Sequence, residues 1–154
     1  MEPGIEIYDY APAYQPSFEK LNRQWIEKYF SMEPLDYQIL QNPEEHIIEK
    51  GGSIFIATYH QVVAGTVALK LVQPGIFELT KMAVDEKFRG LKIGRALGEA
   101  AIKRAKDSGG KKVFLYSNTI LGPAVELYYK LGFQAIPVDG PYQRTNIKME
   151  LTLA

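Results

Sequence analysis

The sequence predicts one domain of the α/β class, built on a mixed sheet of about six or seven strands with helices on both faces. Three β-like segments follow one another in the middle of the chain with short turns between them, which indicates an antiparallel meander. The next segments run strand, helix, strand, an order typical of a crossover between two parallel strands. The 154 residues, 46% apolar and 23% charged, suit a single domain over residues 1–154.

The first third of the chain reads as one strand followed by helices. Ile5–Tyr10 alternates like a strand, and Pro16–Phe30 has the apolar spacing of an amphipathic helix. The stretch MEPLDYQILQNPEEHIIEKGG predicts helical turns that two prolines interrupt and a glycine pair ends.

The middle of the chain predicts the meander itself. Ser53–Tyr59 and Val62–Val72 flank the dipeptide His60-Gln61 and predict a hairpin. The tripeptide QPG then turns the chain into a third strand, Ile76–Val84.

The last third alternates helices and strands. Leu91–Ser108 repeats apolar or small residues every four positions and predicts a helix ended by two glycines. Lys112–Ser117 reads as a buried strand, and the helix after it has Pro123 at its start and Gly132 at its end. The segments FQAI and TNIKMELTL predict the final strands.

Composition narrows the function classes. The sequence has no cysteine, which excludes disulfides, a thiolate nucleophile and cysteine-based metal sites, and we expect no metal cofactor. No run of 18 apolar residues predicts a membrane span, and the N-terminal residues lack the pattern of a secretory signal, so we expect a cytoplasmic protein with no membrane partner. The formal net charge of zero argues against nucleic-acid binding.

Charge is distributed unevenly along the chain. Residues 1–50 carry ten acidic and four basic side chains, and residues 87–112 carry nine basic and two acidic ones. A basic segment within a neutral protein fits a local anionic ligand, although opposite charges that meet across the folded surface give the same counts.

The basic segment coincides with the start of a predicted helix. In KFRGLKIGRAL, Gly90 and Gly94 lie among four cations just after a strand. The first amides of a helix lack intrahelical acceptors, and glycines let a ligand approach them, so the segment suits a phosphate. The alternative is a tight turn with a solvated basic face, in which Gly94 and Gly98 let a neighbouring element pack closely.

The same segment resembles the phosphate-binding motif of the GNAT family of N-acetyltransferases. That motif is Arg or Gln, two residues, Gly, one residue, then Gly or Ala. Arg89 and Gly94 match it, whereas Lys92 stands where the first motif glycine is usual. The segment ELTKMAVDEKFRG is similar to the family's fourth strand and the loop after it, and LYSNTILGPAVELYYKLGF is similar to its later strand and helix. The resemblance covers about Ile54 to Phe133.

The resemblance implies transfer of an acetyl group from acetyl-CoA to a primary amine, by direct attack in a ternary complex of enzyme, acetyl-CoA and amine. The protein itself is expected to be a monomer or a homodimer. The acceptor is a small amine, an amino acid, or a peptide or protein amine. A bulge in strand Ile76–Val84 is expected to separate it from Lys112–Ser117, so that backbone amides hold the pantetheine arm. The implied coenzyme A-binding residues are Met82, Ala83, Val84, Arg89, Gly90, Leu91, Lys92, Ile93, Gly94, Arg95, Asn118, Ala124, Leu127 and Tyr128.

Tyr128 is the candidate general acid. A phenol with an ordinary pKa of about 10 is protonated at neutral pH and can donate to a departing thiolate. Tyr129 is turned by about 100° on the helix and should face elsewhere. The alternative for Tyr128 is a half-buried tyrosine of the core.

Glu78 is the candidate general base, since it is the only acidic residue between Lys50 and Asp85. The alternative is a cross-strand ion pair with Lys70 or Lys81. His46 and His60 are rivals by pKa alone.

Other residues have paired interpretations. Asn118 either hydrogen-bonds the pantetheine or the acceptor, or serves as a turn residue at a strand end. Trp25, Tyr29 and Phe30 either line an acceptor pocket or belong to the core of the first helix.

Two other functions remain open from the residues. A domain of the same fold that binds acyl-CoA without catalysis, as a sensor or interaction module, would carry the same motifs. An unrelated α/β domain whose basic helix binds nucleic acid is less consistent with the net charge.

Overall fold

A seven-stranded sheet forms the centre of the molecule in the computed structural model, which describes residues 3–153. The strands are β1 (Ile5–Asp9), β2 (Ser53–Tyr59), β3 (Val62–Gln73), β4 (Ile76–Val84), β5 (Lys112–Ser117), β6 (Gln134–Ile136) and β7 (Ile147–Thr152), and the helices are α1 (Gln15–Tyr29), α2 (Pro34–Gln41), α3 (Ile93–Asp107) and α4 (Gly122–Lys130). Their order in the sheet is β1-β2-β3-β4-β5-β7-β6. The pair β4–β5 is parallel and the other five pairs are antiparallel, which confirms the predicted mixed sheet.

Helices cover both faces of this sheet, as the sequence predicts. On one face the buried side of α3, which includes Ile93 and Leu97, packs with Phe77, Leu115 and Met149. On the other face α1 and α2 contribute Phe18, Ile26, Ile39 and Leu40, which pack against Ile56. The apolar sides of the helices therefore bury two separate cores, one on each face of the sheet.

Strands β4 and β5 stay paired for only three residues. The parallel register runs from Ile76 opposite Lys112 to Glu78 opposite Phe114 and then stops. Beyond this point β4 keeps its other neighbour, β3, but the β3–β4 register shifts between Thr66 and Ala68. Lys81 lies in this bulge with a φ of 56°. The second half of β4 thus presents an unpaired edge toward β5.

The predicted helices form with boundaries that shift by one or two residues, and the shift at the start of α3 has a clear physical reason. The predicted helix Leu91–Ser108 begins at Ile93, because Lys92 has a φ of 65° and lies outside the right-handed helical region. The stretch that contains Pro34 and Pro43 forms α2 and then a separate π-helical turn at Glu44–Ile48. Glu33 and Asp36 cap the start of α2. None of the helices within residues 3–153 has the length and apolar character needed to cross a membrane.

Candidate active site

A cleft of about 650 Å³ opens where β4 and β5 separate. It is lined by α1, by the second half of β4, by the loop and first turn of α3, by the β5–α4 connection with α4, and by the segment 142–145 between β6 and β7. Every residue predicted to bind coenzyme A lines this cleft except Leu91, which packs partly buried against the core on the α3 face. The structure therefore brings together residues from positions 78 to 128.

The start of α3 forms one end of the cleft. The first intrahelical bond runs from the Ala96 amide to the Lys92 carbonyl, so the amides of Ile93, Gly94 and Arg95 precede the helical ladder. A Cβ on Gly90 would meet nothing within 4 Å, so the backbone there is open to a ligand. This end is suited to an anion such as a phosphate.

The two helix glycines of α3 have different surroundings. A Cβ on Gly94 would lie 3.3 Å from Leu127 and 3.8 Å from Met82, both of which line the cleft. A Cβ on Gly98 would lie 2.6 Å from Leu131, so this glycine lets the residue at the end of α4 pack closely against α3. The packing interpretation thus applies fully to Gly98, while Gly94 also borders the cleft.

Lys92 holds the position where the motif glycine is usual. Its left-handed backbone explains that preference, because glycine adopts positive φ without a steric cost. Arg89 and Arg95 are exposed beside it at the mouth of the cleft, and Arg95 forms a 3.5 Å ion pair with Glu99 one turn along α3.

Glu78 lies at the point where β4 and β5 part. Its side chain is buried and lines the cleft, and burial raises the pKa of its carboxyl above the ordinary value, with the charges of Lys70, Lys81 and Lys148 opposing the shift. Lys70 is its direct cross-strand neighbour on β3, but Lys81 forms its ion pair with Asp36 instead. A carboxyl with a raised pKa beside a cleft has the properties of a general base.

Tyr128 reaches the cleft from α4. Its ring packs against Phe133 at 6.1 Å between centroids, and burial raises the pKa of its hydroxyl to about 12. Within residues 3–153 the hydroxyl makes no hydrogen bond, so it is available to a ligand. Tyr129 is 51% exposed and does not line the cleft, as the helical geometry predicts.

Of the remaining predicted residues, four line the cleft and the two histidines lie outside it. Asn118 lines the cleft, but it donates to the Arg144 carbonyl at 2.6 Å and accepts from the Ile120 amide at 2.9 Å, so its side chain also joins two loops. Trp25, Tyr29 and Phe30 all line the cleft. His46 and His60 lie outside it, the latter in the β2–β3 turn.

A buried polar cluster that the sequence does not predict borders the same cleft and defines what we call its other end. We call Asp36, Lys81, Tyr142 and Arg144 the Asp36 cluster. Arg144 binds both oxygens of Asp36 at 2.7 Å, and the Lys81 ammonium donates to Asp36 and to the Tyr142 hydroxyl, each at 2.9 Å. Burial raises the pKa of Asp36, but the hydrogen bonds from Arg144 and the charge of Lys81 outweigh it and hold the value at about 2.

The described part of the chain contains no cluster of side chains suited to bind a metal ion. Residues 3–153 contain no group of three or more histidine or carboxylate side chains placed to hold an ion.

Comparison with known proteins agrees with the family resemblance of the sequence motifs. The model of the Acetyltransferase (GNAT) family matches residues 13–133, a longer stretch than the Ile54–Phe133 carried by the motifs. N-acetyltransferase 8 from Mus musculus is 30% identical over 96 residues, which cover 59% of this chain and 42% of that protein. The chain spans less than half the length of the first curated relatives it matches.

Two solved structures share the fold at low sequence identity. A GNAT-family acetyltransferase from Staphylococcus aureus Mu50 has a TM-score of 0.88 at 23% identity, covering 97% of this chain and 99% of that one. The PaiA N-acetyltransferase from Thermoplasma acidophilum, crystallised in complex with coenzyme A, has a TM-score of 0.76 at 20% identity, covering 97% and 99%.

Proposed function

Because this chain belongs to the acetyltransferase (GNAT) family, we propose that it transfers an acetyl group from acetyl-CoA to a primary amine by direct attack within a ternary complex. The observation that carries the proposal is the cleft between β4 and β5, which joins a buried carboxyl, a hydroxyl with no hydrogen-bond partner among the described residues, and an open helix start. The coenzyme A complex of the PaiA neighbour supports the choice of acyl donor.

The start of α3 holds the pyrophosphate of the donor. The amides of Ile93, Gly94 and Arg95 donate to the phosphate oxygens, and Arg89 and Lys92 add positive charge. The backbone of β4 at Met82, Ala83 and Val84 faces the gap left by β5 and pairs with the amides of the pantetheine arm. Ala124 and Leu127 of α4 cover the opposite side of the arm.

Glu78 takes the proton from the acceptor ammonium. An ammonium has no lone pair, so this transfer must precede attack, and a carboxyl with a raised pKa accepts the proton more readily than an ordinary one. The free amine then forms a C–N bond to the thioester carbonyl carbon as the C–S bond breaks. The nitrogen carries two protons after attack and gives one to solvent, and Glu78 releases its own proton to solvent once the amide has left.

Tyr128 gives its hydroxyl proton to the departing sulfur. With a pKa of about 12 the hydroxyl is protonated throughout the physiological range, so the donor form is always present. A thiol has an ordinary pKa of about 8.5, which is lower than the pKa of the Tyr128 hydroxyl. The proton therefore moves only as negative charge builds on the sulfur, whose own pKa is raised because the sulfur is removed from water. The tyrosine regains a proton from solvent once the products leave.

Thiol release from acetyl-CoA in the presence of a broad panel of amines, amino acids and peptides tests this function. We expect turnover with at least one acceptor well above the rate of hydrolysis without an amine. A protein that binds acetyl-CoA but releases no thiol with any acceptor would instead be the acyl-CoA-binding module that the sequence left open.

A further inference from the structure

The Asp36 cluster carries more hydrogen-bond donors than it uses. The ammonium of Lys81 has three N–H groups and directs two of them to Asp36 and Tyr142. The guanidinium of Arg144 has five N–H groups, of which two bind Asp36 and one reaches Glu33 at 3.3 Å. Residues 3–153 supply no acceptor for the others or for the Tyr142 hydroxyl proton.

These donors are held away from bulk water and border the cleft. Lys81 is 5% exposed and Tyr142 is 9% exposed, and both line the cleft together with Arg144. Asp36, the carboxylate they share, is fully buried behind them and does not line the cleft. A ligand at this end therefore meets donors, and unsatisfied buried donors favour a group that offers only acceptors.

The charges of the cluster decide the kind of acceptor group. Lys81 and Arg144 are balanced by Asp36 and Glu33, so the cluster attracts by directed donors more than by excess charge. Glu78 lies on the same strand as Lys81 and faces the same cleft. A ligand that carries an ammonium for Glu78 and a carboxylate for the donors of the Asp36 cluster, with no net charge of its own, matches both groups.

The segment 137–146 contributes Tyr142, Arg144 and Thr145 to the cleft and is held in place by other elements. It is tied to α2, where Glu33 accepts from the Gln143 amide at 3.4 Å and from Arg144, and it is tied to the β5–α4 connection through Asn118. Gln143 and Arg144 are thus held by two other elements beside the cleft, so a polypeptide that displaced them would break these bonds, whereas a single small molecule need not displace them.

We propose that the acceptor is a free amino acid, whose amine lies at Glu78 and whose carboxylate binds the spare donors of Lys81, Tyr142 and Arg144. This inference rests on the proposed acetyltransferase function and names the substrate class for the same cleft.

The test is thiol release with matched acceptors that share one side chain. For each of several side chains, the set contains the amino acid, its primary amide, the amine without the carboxyl group, and a dipeptide that begins with the same residue. We expect kcat/KM for the best amino acid to exceed that for its amide and its plain amine by about 10- to 100-fold, the range for losing hydrogen bonds to a charged group. The dipeptide should be poorer than the amino acid.

A single hydroxyl provides the matched variant. Tyr142→Phe keeps the ring that Arg144 covers at 4.3 Å and removes the hydroxyl, which donates to the ligand and also holds the Lys81 ammonium in place as its acceptor, so the preference for the amino acid over the plain amine should fall about tenfold. Tyr37→Phe, which removes an exposed hydroxyl of α2 outside the cleft, should leave that preference unchanged. Arg144→Lys, which keeps the charge but loses the fork, provides a second variant if Tyr142→Phe does not fold.

The possible outcomes separate the two proposals. Equal or better turnover of the amide, the plain amine or the dipeptide would overturn the amino acid assignment and leave the acetyltransferase intact. An unchanged preference in both cluster variants would also overturn it. No thiol release with any acceptor would overturn the proposed function, and this inference with it.

Discussion

Glu78 and Lys81 face the same cleft although they are three residues apart on one strand. In a regular strand, positions i and i+3 point to opposite faces of the sheet. The bulge at Lys81, with its φ of 56° and the shifted β3–β4 register, turns the ammonium back to the side of the carboxyl. The bulge that interrupts the regular β3–β4 pairing thus also brings a buried carboxyl and a buried ammonium to one surface.

Glu78→Gln should lower the acetylation rate mainly below about pH 8. The amide cannot take the acceptor's proton, so turnover falls by about 10²-fold near neutrality and recovers at high pH, where free amine forms on its own. Initial rates from pH 6 to 10 measure this. A loss of equal size at every pH would mean that Glu78 positions the acceptor or supports the strand.

The same substitution should stabilise the protein at neutral pH. The pKa of Glu78 is raised in the folded state, so the folded protein binds this proton more tightly than the unfolded chain does. Its stabilising effect is therefore present below the ordinary value of 4.5 and is lost as the pH rises through the raised pKa. We expect Glu78→Gln to have the higher free energy of unfolding at pH 7 and the difference to shrink toward pH 4, as measured by urea unfolding.

Asp36→Asn should destabilise the fold by about 3–5 kcal/mol, because it leaves Lys81 and Arg144 buried without their shared carboxylate. The lowered pKa of about 2 against an ordinary 3.8 corresponds to about 2 kcal/mol of stability. This contribution is nearly complete above about pH 5 and is lost as the pH falls toward 2. Urea unfolding at pH 7 and pH 3 should show the difference between wild type and variant narrowing at the lower pH.

Glu33→Gln is the matched control for Asp36. It removes a partly exposed carboxylate that contacts the same arginine at 3.3 Å, so it should cost less than about 1 kcal/mol. Similar losses for the two variants would show that burial of the cluster is not what makes Asp36 important.

Lys92→Gly and Lys92→Ala together separate backbone strain from charge. Both remove the ammonium beside the start of α3, so both should raise the KM for acetyl-CoA. Only glycine relieves the left-handed strain of about 1–2 kcal/mol, and its greater freedom in the unfolded chain offsets about 0.4–1 kcal/mol of that gain. The glycine variant should therefore be the more stable of the two in thermal unfolding, and equal stability would contradict the assignment of strain.

Gly94→Glu should raise the KM for acetyl-CoA by at least tenfold or abolish binding. The new carboxylate would lie at the positive end of the α3 dipole, where we propose the pyrophosphate binds. Gly94→Gln adds nearly the same bulk without the charge and should have a smaller effect. Unchanged affinity in a folded Gly94→Glu protein, measured by calorimetry, would exclude this phosphate site.

How much of this architecture the sequence predicts depends on the range of the interaction. The strands, α3 and the crossover follow from alternation and four-residue spacing, which are local, and the motif residues lead to the cleft. The Asp36 cluster is not local, because Asp36 and Arg144 are 108 residues apart and Arg144 lies in an irregular loop. The role of Lys81 escapes for a different reason: the sequence offers it as a possible partner of Glu78, but regular alternation would place it on the opposite face, and the bulge that brings it to Asp36 is not visible in the sequence.

Tyr128→Phe tests the general acid directly, because it removes one hydroxyl and keeps the ring that packs against Phe133. That hydroxyl makes no hydrogen bond within residues 3–153, so its loss should cost no more than about 1 kcal/mol of stability. Acetyl-CoA binding should change little, while kcat falls by about 10²-fold, since sulfur is protonated only as the C–S bond breaks. Tyr129→Phe, which removes an exposed hydroxyl from the next position of α4, is the internal control and should keep the wild-type rate. If the two variants behave alike, or if Tyr128→Phe keeps the wild-type kcat with a good acceptor, then the proton comes from water and Tyr128 serves only to pack α4 against the sheet.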